Sequence, residues 1–303
     1  MSKLAFLFPG QGAQTVGMGV GLAAEVPAAA ALFATAREIL GYDLLELCAS
    51  GPAEKLNSTV FSQPALYVCS LAAVEKLRAQ SPATIDACTI AAGLSLGEYT
   101  ALTFAGALDF ADGLRLVQVR GEAMQAASDL EPSGMVSILG LERSQVEHLC
   151  DAERQHEVLQ VANLLCPGNI VVSGHLTACA RVAAAAEAAG ATKAIPLAVA
   201  GAFHTPLMEP AAQRLRAALA ETEFRRPRVP VLSNVDAAPH DDPAEFRTLL
   251  AEQLASPVLW EDSLRWLLGD YGASQCYELG PGRVLRGLLK RLDRKFPCDG
   301  IEA

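Results

Sequence analysis

The chain has 303 residues, enough for two domains or one elaborated α/β domain with a sizeable buried core. Hydrophobic residues make up 51% against 19% charged, which excludes wholesale disorder, and 24 glycines and 17 prolines scattered without a period exclude fibrous and low-complexity classes. A net charge of −10 disfavours a general nucleic-acid or anionic-membrane surface, so neither nucleic acid nor membrane is expected as a partner.

The chain opens on LAFLFPG, with the length and composition of a first buried strand (3–8) rather than a signal sequence; the expectation is a mature chain without a targeting peptide. A helix follows at 27–40, opening on its proline and stopping at Gly41, then a helix at 63–80 and a buried strand at 88–92. Alternation of this kind predicts a mostly parallel sheet covered on both faces. From Met135 the order changes to strand 135–139, helix 143–152, strand 157–163, strand 169–173, helix 176–189 and strand 193–199. That βαββαβ succession is the split-βαβ, ferredoxin-like pattern, inserted at 132–200 into a larger domain made of 1–131 and 201–303. The first style resumes with a helix at 206–220, a strand at 229–233, a helix at 243–254 and a short strand at 275–279. A cleft between the two parts is the expected place for a site. The longest uncharged stretch, 158–180, is cut by Asn163, Pro167, Gly168 and Asn169 and is no membrane span. The eight cysteines form no CxxC pair and no Cys/His cluster, so they read as thiols of a reducing compartment, and no metal is expected.

Gly93-Leu94-Ser95-Leu96-Gly97 fits GxSxG. A buried strand precedes it and helix-forming GEYTALTFAGAL follows, which is the strand, sharp turn and helix that lift a serine hydroxyl out of a sheet. A serine there sits where free amide hydrogens can stabilise an oxyanion; the bland alternative is a serine N-cap between tightly packed glycines. Of five histidines, His148, His156 and His175 fall in polar settings of the insertion. His204 follows the apolar run IPLAVAGAF and precedes Thr205-Pro206, a plausible N-cap and first helical residue, so it occupies a loop at a strand end; a half-buried histidine bonded to local backbone is the alternative. His240, among acids in NVDAAPHDD, is the reserve candidate for a base.

Arg120 has Leu116, Val117, Ala123 and Met124 as its i±3 and i±4 neighbours, so its stretch of helix surface is apolar. A guanidinium there needs an anionic partner, either an internal carboxylate or a substrate anion, and the residues favour neither. In FPGQG, glycines flanking Gln11 would let its backbone amide approach a reacting carbonyl, with an ordinary βα turn as the alternative. RVLRGLLKRLDRK carries Arg283, Arg286, Lys290, Arg291, Arg294 and Lys295 against Asp293 alone; it suits docking of an acidic partner, or is a solvated basic helix face.

FPGQG, GLSLGEYTAL, VRGEAMQ, ANLLCPGNIVVSG, AVAGAFHTPLM, the QLASPVLW run and ELGPGRVL, in this order and over nearly the whole chain, resemble the malonyl-CoA:acyl carrier protein transacylase family. The resemblance implies an α/β-hydrolase-like large domain with the ferredoxin-like insertion, and it implies malonyl-CoA and an acidic, phosphopantetheinylated acyl carrier protein as partners, no cofactor, and a monomer. By motif position it makes Ser95 the acyl-accepting nucleophile and His204 its base, oriented by backbone carbonyls near Gln253 rather than by an aspartate. It assigns the oxyanion hole to the amides of Gln11 and Leu96 and gives Arg120 the malonyl carboxylate. The same resemblance would have Asn163 and Phe203 line the site, Phe203 against an α-methyl branch, and Arg286, Lys290 and Arg291 serve carrier-protein docking. Most bacterial members have histidine where this chain has Leu94; GLSLGEYTAL and VAGAFHT resemble plastid forms and some bacterial relatives, implying a plastid stroma or, alternatively, a bacterial cytoplasm. The product would feed fatty-acid or, alternatively, polyketide synthesis. Two rivals remain: a serine esterase using Asp236 with His240, and a non-catalytic carrier-protein docking module.

Overall fold

A computed structural model describes residues 3–303. Eleven strands are distributed over two sheets among these residues. The larger sheet has the order β11-β10-β1-β2-β7-β8, from β1 (Leu4–Phe8), β2 (Cys88–Gly93), β7 (Val231–Leu232), β8 (Pro239–His240), β10 (Gln275–Leu279) and β11 (Cys298–Ile301), and every pairing is parallel except β7 with β8. β1 is buried at all five positions, the unbroken apolar run expected of a strand covered on both faces. Its register sets Phe8 opposite Gly93, so the FPGQG turn and the GLSLG turn leave the sheet side by side at its carboxyl edge, where open α/β sheets place their sites.

The smaller sheet contains β3 (Ser133–Leu139), β4 (Leu159–Cys166), β5 (Asn169–His175) and β6 (Lys193–Pro196) in the order β6-β3-β5-β4. These pair antiparallel, and with helices Arg143–Glu153 and Leu176–Ala188 they make the expected βαββαβ unit around Val136, Ile138, Val146, Val172 and Val182. A fifth strand, β9 (Val258–Leu259), pairs parallel with β4, Asn163 opposite Val258, and belongs to the SPVLW segment that returns from the large sheet. That two-residue strand ties the sheets together beside the cleft.

Several expected elements are reshaped by packing. The helix expected at 63–80 runs Thr59–Gln80 with Pro64 inside it, because burial on nearly all sides outweighs the proline's missing N–H. The strand expected to reach residue 199 stops at Pro196. The helix expected from Pro206 opens as a 3-10 turn, Pro206–Met208, before the α-helix Glu209–Ala220, with Thr205 Oγ1 accepting from Leu207 N.

Candidate active site

Ser95 sits between β2 and the helix Gly97–Ala105 with φ 51°, a left-handed conformation that a serine adopts at some cost. Glycines permit the turn. A Cβ on Gly93 would lie 1.9 Å from the Gly97 carbonyl carbon, and one on Gly97 would lie 2.1 Å from the Phe8 oxygen. Asn234 pins the elbow from β7: Ser95 N donates to its Oδ1 at 2.6 Å, while its Nδ2 donates to the Gly93 carbonyl at 2.8 Å.

His204 Nε2 lies 3.0 Å from Ser95 Oγ. On its other side Nδ1 is 2.7 Å from the backbone oxygen of Gln253. A carbonyl can only accept, so Nδ1 carries the hydrogen and the Nε2 lone pair faces the serine hydroxyl. The ring is 3% exposed, and burial, aided by the charge of Arg120, lowers its pKa to about 4. The imidazole is therefore neutral at neutral pH, which a general base requires. Its own φ is 62°, and Gln160 Nε2 donates to its carbonyl at 3.1 Å.

Arg120 is 1% exposed. Its Nη1 donates to Gln63 Oε1 at 2.8 Å, and Nη2 to Ser95 Oγ at 2.9 Å and Gln253 Oε1 at 3.0 Å; Nε has no partner, and the guanidinium lies 5.5 Å from the centre of the Tyr99 ring. Among the described residues no carboxylate comes within ion-pairing distance, so of the two partners open from sequence the internal acid is not there. Its direct partners are all neutral and Glu98 acts on it only at longer range, so burial still lowers its pKa, and the site suits an anion that arrives from outside.

These groups close one end of a cleft of about 490 Å³ between the two sheets. Gln11, Ser95, Arg120, Asn163, Phe203 and His204 line it, with Leu94, Met124, Met135 and Val171 as apolar wall. Among the described residues the backbone amides of Gln11, which lines the cleft with Ser95, and of Leu96, the next residue after it, have no hydrogen-bond acceptor. Gln253 is fully buried; its Nε2 donates to Ser95 O at 3.1 Å and to Glu98 Oε2 at 2.7 Å.

Four residues of this network were not singled out from sequence: Gln63, Glu98, Gln160 and Asn234. Glu98 stood in the motif GLSLGE, yet an acid in a helix's first turn reads as ordinary dipole compensation. Gln63, Gln160 and Asn234 carried no local signal.

Two expectations are corrected. His240 does meet Asp236, Nε2 at 2.9 Å, but its Nδ1 is taken by Glu245 at 2.7 Å. Burial opposes its protonation, yet these two carboxylates outweigh it and raise the pKa, so His240 is an ion-paired histidine with no nitrogen left for Ser95. Arg286 does not project with the basic patch. It pairs with buried Glu278 at 3.3 Å and with Glu302 at 2.8 Å, and its side chain is only 17% exposed. Lys290 and Arg291 are exposed at the end of the helix Val284–Leu292, and Arg291 borders a groove that meets the cleft at Asn169 and Leu288. Among the described residues no helix is long and apolar enough to cross a membrane.

The acyl transferase domain family matches residues 5–275. The human mitochondrial malonyl-CoA-acyl carrier protein transacylase is 46% identical, covering 94% of this chain and 75% of that protein. The chain belongs to the malonyl-CoA-acyl carrier protein transacylase family. The transacylase of Bacillus subtilis is 43% identical over 98% of this chain and 92% of its own. A malonyl-transacylase solved in complex with its type II polyketide synthase acyl-carrier protein superposes with a TM-score of 0.94 at 38% identity, covering 100% of this chain and 97% of that one. In this chain residues from both the large and the small sheet's units line the cleft that holds Ser95.

Proposed function

We propose that this protein moves a malonyl group from malonyl-CoA to the phosphopantetheine thiol of acyl carrier protein through an ester on Ser95. The observation that carries the reading is the buried Arg120, without a carboxylate partner and one hydrogen bond from the Ser95 hydroxyl. His204 Nε2 removes the Ser95 proton as Oγ attacks the thioester carbonyl, and the amides of Gln11 and Leu96 receive the oxyanion. The intermediate collapses with loss of CoA, whose thiolate takes the proton from His204. The carrier thiol then enters, loses its proton to His204, attacks the malonyl-Ser95 carbonyl and leaves as the malonyl thioester, Ser95 regaining the proton. Arg120 grips the malonyl carboxylate throughout, while Asn163 and Phe203 bound the pocket. No step calls for a cofactor.

The large unit, 1–131 with 201–303, supplies the nucleophile and base, and the inserted unit, 132–200, supplies the facing wall. The motif variants GLSLGEYTAL and VAGAFHT support a plastid stroma or, in the alternative, a bacterial cytoplasm. The product serves fatty-acid synthesis; a likeness to a polyketide-system transacylase keeps polyketide synthesis as the second reading. The test is a transfer assay with malonyl-CoA and holo carrier protein. Malonyl-carrier protein should accumulate with holo carrier and not with apo carrier, and consumption of malonyl-CoA by hydrolysis alone would overturn the reading.

Docking is assigned to Lys290 and Arg291. Reversing both to Glu should raise the KM for carrier protein by roughly tenfold at low salt, an effect that fades as the screening length shortens to about 8 Å at physiological ionic strength. Loading of Ser95 from malonyl-CoA should stay nearly unchanged; unaltered carrier kinetics at low salt would make the patch plain solvated surface.

A further inference from the structure

We propose that Glu98 is a positioning residue for acyl selectivity: its carboxylate fixes the side-chain amide of Gln253, and through it aims Arg120 at the incoming acyl group. The proposal rests on the reading of Ser95 and Arg120 given above.

Glu98 is a buried acid, 3% exposed, with no cation in ion-pairing contact among the described residues. Burial pushes its pKa up to about 7, so keeping it there is unfavourable unless its oxygen does something an apolar residue could not. One atom, Oε2, accepts from Asn234 N at 3.0 Å and from Gln253 Nε2 at 2.7 Å. The second hydrogen of Gln253 Nε2 goes to the Ser95 carbonyl at 3.1 Å. Both partners of that nitrogen can only accept. Gln253 Oε1 must then face the other way, where Arg120 Nη2, which can only donate, lies 3.0 Å off. A flipped amide would set an NH2 against a guanidinium and an oxygen against two acceptors. Glu98, together with the Ser95 carbonyl, therefore determines which end of Gln253 Arg120 meets. Through Asn234, whose side chain holds Ser95 N and the Gly93 carbonyl, the same oxygen also braces the elbow.

Gln253 reaches His204 through its backbone oxygen, which an amide flip does not move. Loss of the Glu98 acceptor should accordingly damage recognition of a carboxylated acyl group more than it damages the nucleophile and base. Protonation of Glu98 leaves a carbonyl oxygen able to accept the same two bonds, so position rather than charge is the property that matters.

Two variants separate these. Glu98→Gln can keep an acceptor oxygen at the Oε2 position, whereas Glu98→Asp withdraws it by about 1.5 Å, one carbon–carbon bond. The readout is kcat/KM for malonyl-CoA and acetyl-CoA, with the rate of Ser95 labelling by a neutral fluorophosphonate as a measure of nucleophile and base alone. Glu98→Asp should lower the malonyl-to-acetyl ratio by about tenfold or more, chiefly through the KM for malonyl-CoA, the scale of one lost hydrogen bond to a charged group. Glu98→Gln should hold the ratio near wild type, Glu98→Asp should lose less in fluorophosphonate labelling than in kcat/KM for malonyl-CoA, and in a Gln253→Ala background Glu98→Asp should lose its effect on the ratio. An unchanged ratio in Glu98→Asp, an equal fall in Glu98→Gln, or additivity with Gln253→Ala would each overturn the proposal. Should Glu98→Asp fail to fold, the Glu98→Gln ratio decides alone: retention supports the proposal and loss refutes it. A wild-type protein that labels with fluorophosphonate but does not take malonyl from malonyl-CoA would instead refute the substrate reading.

Discussion

In Arg120→Ala, malonyl transfer should collapse while acetyl and longer uncharged acyl groups gain relative to it. A malonyl group differs from an acetyl group chiefly by a carboxylate, which the planar guanidinium can hold through two parallel hydrogen bonds. In the wild type, acetyl-CoA leaves Arg120 buried among Gln63, Gln253 and Ser95 with no anion paired directly to it among the described residues. That costs roughly 3 to 5 kcal/mol, a discrimination of about a hundred- to several-thousand-fold. Removing the guanidinium turns the malonyl carboxylate into the buried unpaired charge, so the preference inverts. The check is kcat/KM for malonyl-, methylmalonyl- and acetyl-CoA in both proteins; an unchanged malonyl-to-acetyl ratio would mean that another group reads the carboxylate. Methylmalonyl-CoA tests the wall at Phe203, which lines the cleft at 5% exposure and should reject the α-methyl branch.

His204→Ala should lose roughly 100-fold or more in transfer rate, the usual scale of a positioned general base, while His240→Ala stays near wild type. His240 is held between Asp236 and Glu245, whereas His204 alone offers a nitrogen to Ser95. The pH dependence carries the same assignment. With its pKa lowered to about 4, His204 stays neutral as pH falls through the ordinary histidine value of about 6.5, so Ser95 loading should hold there and drop only on approach to 4. A loss of activity centred near 6.5, or a larger defect in His240→Ala than in His204→Ala, would favour the esterase arrangement.

How much of this was legible in the chain depended on whether a residue's role could be seen in its own neighbourhood. Ser95 stands in a strand-turn-helix whose glycines are demanded by contacts under 2.5 Å, His204 in a loop after an apolar run, and Arg120 on an apolar helix face, and the structure brings all three within hydrogen-bonding distance. The βαββαβ order was likewise visible, because both helices and the strands Leu159–Cys166 and Asn169–His175 are long enough to show their own period, whereas the four-residue Lys193–Pro196 is not and its end was misplaced. The fifth strand of that sheet was not, since Val258–Leu259 has two residues and pairs with a segment nearly a hundred positions earlier. Glu98, Gln63 and Asn234 behave the same way: each is ordinary in its own helix or strand end and acquires a role only when the fold brings Glu98 to Gln253, Asn234 to Ser95 and Gln63 to Arg120. Arg286 shows the converse, a cation whose local sequence suggests a surface patch but whose partners, Glu278 and Glu302, arrive from a buried strand and the chain terminus.

The transfer mechanism turns on a covalent intermediate at Ser95. Incubated with malonyl-CoA alone, the protein should gain the mass of one malonyl group, mapped to Ser95 in the peptide containing GLSLGEYT, and Ser95→Ala should gain none. Label on any other residue, or full transfer activity with no adduct in the wild type, would contradict it.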